Sequence, residues 1–297
     1  AAEAAVQVAV GEPLKLKGPL AAYGISEIVD ENMANAARVH AIERGKQMAT
    51  RTMVAFGGAA PLHAARLAEK IGIDRIIVPT GAGVGSAIGF LRAPIAYEVV
   101  RSLYMRLDDF DIGRTNKVLR DMQTEARAVV EPGAGSAKLV ETRVADMRYL
   151  GQGHEIEVPV PVGPLTAKSI EQIKALFEKG YRAHYGRTVA DVPIELLSWS
   201  LTVRADIAKP KRQAKVRRRA APKAPEKRRL FDPDRTAYRE VAVYHRPDLA
   251  PGMVVQGPAI IAEAETSTLV SGKFNAYVDA GGYIVLERRR SSEVRKR

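Results

Sequence analysis

The residues best suited to chemistry are Phe56-Gly57-Gly58-Ala59-Ala60-Pro61-Leu62-His63. A short apolar run ends there in two glycines, and a helix follows at once. Glycine lets a backbone approach a ligand closely, and the unpaired N–H groups at a helix N terminus favour anions. That pattern suits a nucleotide. A tight strand-to-helix turn also needs glycine on steric grounds alone, and spacing does not separate the two readings. The run matches neither GxxxxGK[ST] nor GxGxxG.

Other candidates are weaker. Gly81-Ala82-Gly83-Val84-Gly85-Ser86-Ala87-Ile88-Gly89 is glycine-rich, but no acidic residue follows at about 20 positions in a strand-end context, as a dinucleotide site requires. Its small residues read instead as room for close helix packing. His63, His154 and His184 show no HxxxH spacing, and a solitary histidine is more often structural than catalytic. His63, where a loop meets a helix, is the best of the three. Asp108, Asp109 and Asp111 lack the glycine and glutamate of a calcium loop and read as a solvated turn. No Gly-x-Ser-x-Gly elbow is present. With no cysteine, the chain has no thiolate nucleophile, disulfide or iron–sulfur cluster. No metal site is expected, and no catalytic residue is identified.

The elements that must position the glycine turn follow from hydrophobic periodicity. Ile25, Ile28, Val29, Met33, Ala36, Val39 and Ile42 predict a helix over 25–47. Thr52–Phe56 predicts a buried strand, Pro61–Ile71 a helix, Arg75–Pro79 a strand, and Ser86–Arg92 another helix. This β-α-β-α order predicts an α/β domain with a mainly parallel sheet. A strand over 97–107, a helix over 114–131, a hairpin of 140–150 with 154–160, a helix over 166–185 and a strand over 196–207 follow. Residues 238–287 read as short strands between Gly/Pro turns.

The chain has 297 residues and a formal net charge of +12. Residues 208–229 hold eleven Lys/Arg and one Glu, and 287–297 hold six Lys/Arg and two Glu. The rest of the chain carries −2. The segment 208–229 has no apolar periodicity and no aromatic residue, so it is expected to be a mobile linker rather than a base-stacking surface, and nucleic acid is not the expected partner. No stretch approaches the ~18 apolar residues of a membrane helix, and the first residues, Ala1-Ala2-Glu3-Ala4-Ala5, do not resemble a signal peptide. A cytoplasmic location is expected.

Four motifs, in order, carry a family resemblance. Glu31-Asn32-Met33 with Met53–Ala64 resembles the C-terminal half of the hydantoinase A/5-oxoprolinase family. Gly83–Gly89, Asp146–Ile156 and Gly257-Pro258-Ala259-Ile260-Ile261 resemble its later motifs. The family includes ATP-dependent N-methylhydantoinase A subunits, 5-oxoprolinases and acetone and acetophenone carboxylase subunits. The resemblance implies an α/β fold: part of an actin-like ATPase over 1–112, an α+β segment over 113–207, the basic linker 208–229, and a small β-rich C-terminal domain over 230–297. It implies ATP and Mg²⁺ as cofactors, with Gly57, Gly58 and Ala59 on the adenosine side, and draws in Asn32 and His63.

The chain departs from the family pattern at Ala60, where glycine is usual. It also has no match to the acidic, Gly/Thr-rich phosphate loop of the family's N-terminal lobe. The Mg²⁺ and γ-phosphate ligands are therefore expected outside this chain, which is expected to be inactive alone. Its expected partners are that lobe or a chain carrying the loop, a B-type subunit, and a small-molecule substrate. The leading reading is the C-terminal part of an A-type subunit of an ATP-dependent cyclic-amide hydrolase. A ketone carboxylase subunit and a non-catalytic scaffold are the alternatives.

Overall fold

The computed structural model describes residues 1–207, 214–232 and 235–289. They divide into two compact units, Ala1–Arg92 with Lys211–Arg297, and Ala93–Pro210. The expected boundary at 207 lies close to the division after Pro210, and those at 112 and 229 have no counterpart in it. The β-rich C-terminal segment is present, but it completes the N-terminal unit instead of standing apart.

In the first unit, a helical stretch over residues 2–14 leads to helix α1 (Gly18–Glu43). α1 starts seven residues before its expected start, because Pro19 occupies its first turn after an extended Lys17. Strand β1 (Thr52–Val54), helix α2 (Ala60–Ile71) and strand β2 (Arg75–Val78) follow, and β1 and β2 pair in parallel. Helix α3 spans Gly85–Arg92.

The remaining strands of this unit come from the far end of the chain. They are β7 (Arg219–Ala220), β8 (Glu226–Asp232), β9 (Ala237–His245), β10 (Met253–Gln256), β11 (Ala259–Ala262), β12 (Ser267–Val270), β13 (Phe274–Val278) and β14 (Ile284–Arg288). One sheet has the order β1-β2-β14-β13-β10-β7 and another β12-β11-β9-β8. The first sheet is mixed, not mainly parallel, since β14 runs antiparallel to both β2 and β13.

Burial explains this pairing. Phe274, Ala276 and Val278 on β13, and Ile284 and Leu286 on β14, alternate into the same core as Ile76 and Val78. α2 joins that core through Ala64, Ala65 and Ala68, whose small side chains let the helix lie close. Without the C-terminal strands, the apolar face of the β1–β2 pair would be left in water.

The basic segment also differs from expectation. Residues 208–213 and 290–297 lie outside the described residues, but 219–220 and 226–229 belong to β7 and β8. Both strands sit at sheet edges, where Lys and Arg are well tolerated. Aromatic partners come from other strands: the Arg218 guanidinium lies 4.1 Å from the Tyr277 ring centre, and that of Arg229 lies 4.7 Å from Tyr238.

α1 and α2 are joined by a charge network. Glu27 accepts from Arg66 through both carboxylate oxygens, at 2.6 and 3.0 Å, and also from Lys70. Glu31 accepts from Lys70 at 2.8 Å and from Arg38 at 2.9 Å. The Arg66 guanidinium, foremost, holds the Glu27 carboxyl at about 2, down from 4.5. A carboxyl with a depressed folded pKa contributes stability above its unfolded value and loses it as pH falls through the folded one. The melting temperature is therefore expected to drop as pH falls from about 4.5 to about 2. In Glu27→Gln that drop is expected to be smaller, as thermal melts across this range would show.

The second unit is α+β. Strands β3 (Ala96–Arg106), β4 (Leu139–Tyr149), β5 (Ile156–Pro159) and β6 (Ile194–Ala205) form an antiparallel sheet in the order β3-β6-β4-β5. Helices α4 (Ile112–Ala134) and α5 (Ala167–Tyr185) pack on it. Asp111 caps α4 by accepting the Arg114 N–H at 2.8 Å, so this residue of the expected solvated turn has a structural role. Trp199, Phe177, Leu119, Met122 and Ile173 fill the core.

Side chains of the family-like motif 146–156 bond within their own unit. Asp146 accepts from Ser198, Arg148 donates to Glu195 at 2.8 Å, and Gln152 donates to the Tyr181 hydroxyl at 2.7 Å.

Candidate functional site

The glycine turn is tied to two other loops of its own unit. After β1, the Ala55 N–H donates to Ile77 O at 2.9 Å, and the Gly57 N–H donates to Ala82 O at 2.6 Å. Gly57 has φ +115, a conformation that L side chains rarely adopt. The Gly58 carbonyl accepts from the Thr266 hydroxyl at 2.8 Å. Ala59 then precedes α2 with no side-chain cap on that helix, and Pro61 sits in its first turn. Pro61 has no N–H and the Leu62 N–H donates to Ala59 O at 3.0 Å, so of the first three helical residues only Ala60 keeps its N–H for an outside acceptor.

The second glycine cluster serves close packing, although against a loop rather than a helix. A Cβ on Gly83 would lie 2.5 Å from the Glu265 side chain and 2.8 Å from its carbonyl oxygen. Residues 263–266 therefore press directly on the 81–85 turn. Their own shape is fixed by the Glu263 N–H, which donates to Thr266 O at 2.9 Å. Arg246 pairs with Glu263 at 2.9 Å, donates to Thr80 Oγ1 at 3.3 Å, and also bonds Gly282 O. Burial pushes the Glu263 carboxyl up, and the Arg246 charge opposes that shift.

Of the expected site residues, Gly57, Gly58 and Ala59 form one turn. His63 faces elsewhere: its Nδ1 lies 2.8 Å from Asp30 Oδ1. Asp30 is buried within α1. A carboxylate at Nδ1 fixes the imidazole and directs Nε2 away from it, an arrangement suited to orienting a base or a hydrogen-bonding group. Asn32 is exposed on α1. It stands two positions from Asp30, and residues so spaced do not share a helix face.

Sequence reading missed Asp30, Arg246, Glu263 and Thr266. Asp30 gave one signal, a carboxylate inside an apolar helical pattern. The other three lie about 200 residues from the turn they support, and no spacing rule spans that distance. His184 bonds the Gly180 carbonyl of its own helix at 2.9 Å. Among the described residues, no group of three or more His, Asp or Glu is arranged to hold a metal ion.

This combination of fold and site defines a known class. Residues 1–99 match the hydantoinase/oxoprolinase family and residues 114–288 match the hydantoinase/oxoprolinase C-terminal domain, and the chain belongs to this family. It is 29% identical over 282 residues to the caprolactamase subunit alpha of Pseudomonas jessenii, covering 93% of this chain and 40% of that one. It is 24% identical over 290 residues to the acetone carboxylase beta subunit of Xanthobacter autotrophicus, again covering 93% and 40%. The crystal structure of the ATP-dependent caprolactamase from Pseudomonas jessenii superposes with a TM-score of 0.73 at 26% identity, over 97% of this chain and 42% of that one. The chain thus spans about two fifths of the length of these relatives. Among the described residues, no helix is long and apolar enough to cross a membrane.

Proposed function

We propose that this chain is the C-terminal part of an A-type subunit of an ATP-dependent cyclic-amide hydrolase of the hydantoinase/5-oxoprolinase type. The observation that carries the reading is the Gly57–Ala59 turn before the uncapped N terminus of α2. A Cβ on Gly58 would meet only Glu265 O, at 3.9 Å, so the turn has open space beside it. The caprolactamase relative, named as ATP-dependent, supports the same chemistry.

In this reading Gly57, Gly58 and Ala59 contact the nucleotide, and Phe56, 57% exposed beside them, offers an apolar surface. Bound ATP would supply its γ-phosphoryl group to the amide oxygen, with ADP as the leaving group, which would make the ring bond easier to open. The described residues do not fit a Mg²⁺ site, so no step is assigned to that ion here. Its ligands and the phosphate loop belong to the part of the family's longer chains that this chain does not match, and a B-type subunit completes the enzyme. The exposed Phe90 and Leu91 on α3, 84% and 83% accessible, fit a surface covered by further protein. A cytoplasmic location fits a chain with no cysteine.

A ketone carboxylase subunit is the second reading, favoured by the acetone carboxylase relative. ATP turnover by the complete complex separates the two: lactams or hydantoins on one side, acetone or acetophenone with bicarbonate on the other. This chain alone is expected to release no phosphate from ATP. ATP hydrolysis by the isolated chain, or a complex in which none of these substrates elicits turnover, would overturn the proposal.

A further inference from the structure

Helix α1 has two faces of different character. One carries the buried Asp30 and Ala34 and, through Glu27 and Glu31, the charge network with α2. On the other, Ile25, Ile28, Asn32, Asn35, Val39 and Ile42 are all exposed, Ile28 at 64% and Ile42 at 77%. They alternate in steps of three and four residues, the a/d repeat of a helix-packing seam. The stripe runs about 26 Å along α1. Val29 and Ala36, also exposed, widen it. No charged side chain stands in it, so α1 leaves a largely apolar strip in water.

The stripe is its own complement. Read in either direction from its midpoint, between Met33 and Ala34, it runs asparagine, apolar, apolar. An antiparallel helix pair sets each a position against a d position of the other helix. A second α1, related by a two-fold axis through that midpoint, therefore puts Ile25 against Ile42, Ile28 against Val39 and Asn32 against Asn35. The flanks match as well. Val29 meets Ala36 of the second copy along one side. Along the other, Glu31 meets Arg38 of the second copy, and these two side chains are 44% and 39% exposed.

The two asparagines limit what can cover the stripe. Asn35 Oδ1 accepts from Arg38 Nη1 at 2.7 Å, which leaves the Asn35 amide N–H groups for another partner. Asn32 offers both a donor and an acceptor. Buried face to face, the two amides bond each other. A purely apolar helix laid on the stripe would leave both unpaired, which is costly. Amides at the centre of an apolar seam also set its register, because a slip of seven residues would place each asparagine against an isoleucine or a valine.

We propose that this face binds a second copy of the chain, as an antiparallel, two-fold pair of α1 helices. The seam is a single helix pair, the size of a weak interface, so dissociation is expected in the micromolar range. It contains no residue of the Gly57–Ala59 turn and does not depend on the nucleotide reading of that turn.

Sedimentation velocity of the 297-residue chain tests the proposal and is expected to show a dimer at high micromolar concentration. Ile28→Lys and Val39→Glu are each expected to weaken dimerisation at least tenfold. Both positions are exposed, so the fold should persist, and circular dichroism checks that it does. The double variant sets each lysine against a glutamate of the second copy and is expected to bind at least tenfold tighter than either single variant. Because the chain has no cysteine, disulfide trapping reads the arrangement directly. Ile25→Cys and Ile42→Cys chains are expected to cross-link when mixed under mild oxidation. Neither should cross-link with itself, since like positions then lie about 26 Å apart along the seam. A monomer at high micromolar concentration, unchanged dimerisation in either single variant, no recovery in the double variant, or self-cross-linking of Ile25→Cys would each overturn it. So would a monomer that binds the part of the family's longer chains that this chain does not match, and loses that binding in Ile28→Lys, because the face would then belong to that part.

Discussion

Gly58→Asp in the complete enzyme is expected to weaken ATP binding at least tenfold, or about 1.4 kcal/mol, while the melting temperature stays unchanged. The position makes this a clean test. Gly58 is not in the left-handed region, and a Cβ there would have only Glu265 O within 4 Å, at 3.9 Å. An aspartate side chain therefore fits the turn. It sets a charged side chain in the open space beside the turn, where the adenosine side of the nucleotide is proposed to lie. Neighbouring glycines would confuse binding with folding. Gly57 has φ +115, and any Cβ on Gly83 collides with the 263–266 turn. Calorimetric titration with ATP, alongside a thermal melt, reads both quantities. Unchanged affinity in a folded variant would mean that Gly58 serves only the tight turn.

Trp199→Ala is expected to cost the second unit about 3–5 kcal/mol of stability. Trp199 heads the fully buried side chains, and it is the chain's single tryptophan. It lies at the centre of β6, with Phe110 in edge contact at 6.0 Å. Its Nε1–H donates to Leu103 O at 3.3 Å, so truncation removes that partner as well as opening a cavity. Urea unfolding followed by circular dichroism measures the change, since the variant has no tryptophan to fluoresce. Trp199→Phe retains most of the volume and is expected to lose less. A cost below about 1 kcal/mol for the alanine variant would contradict the packing described for this core.

Much of the local structure was legible from periodicity. α2, the strand at 75–78, the hairpin of β4 with β5, and α5 stand close to their expected positions, because each has a clean apolar repeat and its own turn residues. α1 was read too short, because Gly18-Pro19 looks like a loop unless it is known to open a helix. The basic stretch was read as a linker because β7 and β8 lack an apolar face of their own. They are held by ladder bonds to β10 and β9 and by arginine stacking on tyrosines brought from other strands.

The candidate site divides in the same way. Gly57, Gly58 and Ala59 were visible because they are contiguous and lie where a strand meets a helix. His63 was visible as a histidine, but its partner Asp30 was not, because the pair forms only when α1 packs on α2.

The sequence by itself determined the period of nearly every element, the glycine turn, the location of the excess positive charge and the family motifs. These are local properties, set by side chains a few residues apart. The tertiary structure alone decided that the C-terminal strands complete the N-terminal sheet and that residues 263–266 brace the glycine turn. Those features join residues about 200 positions apart. They arise because apolar faces at the two ends of the chain find water-free contact only with each other.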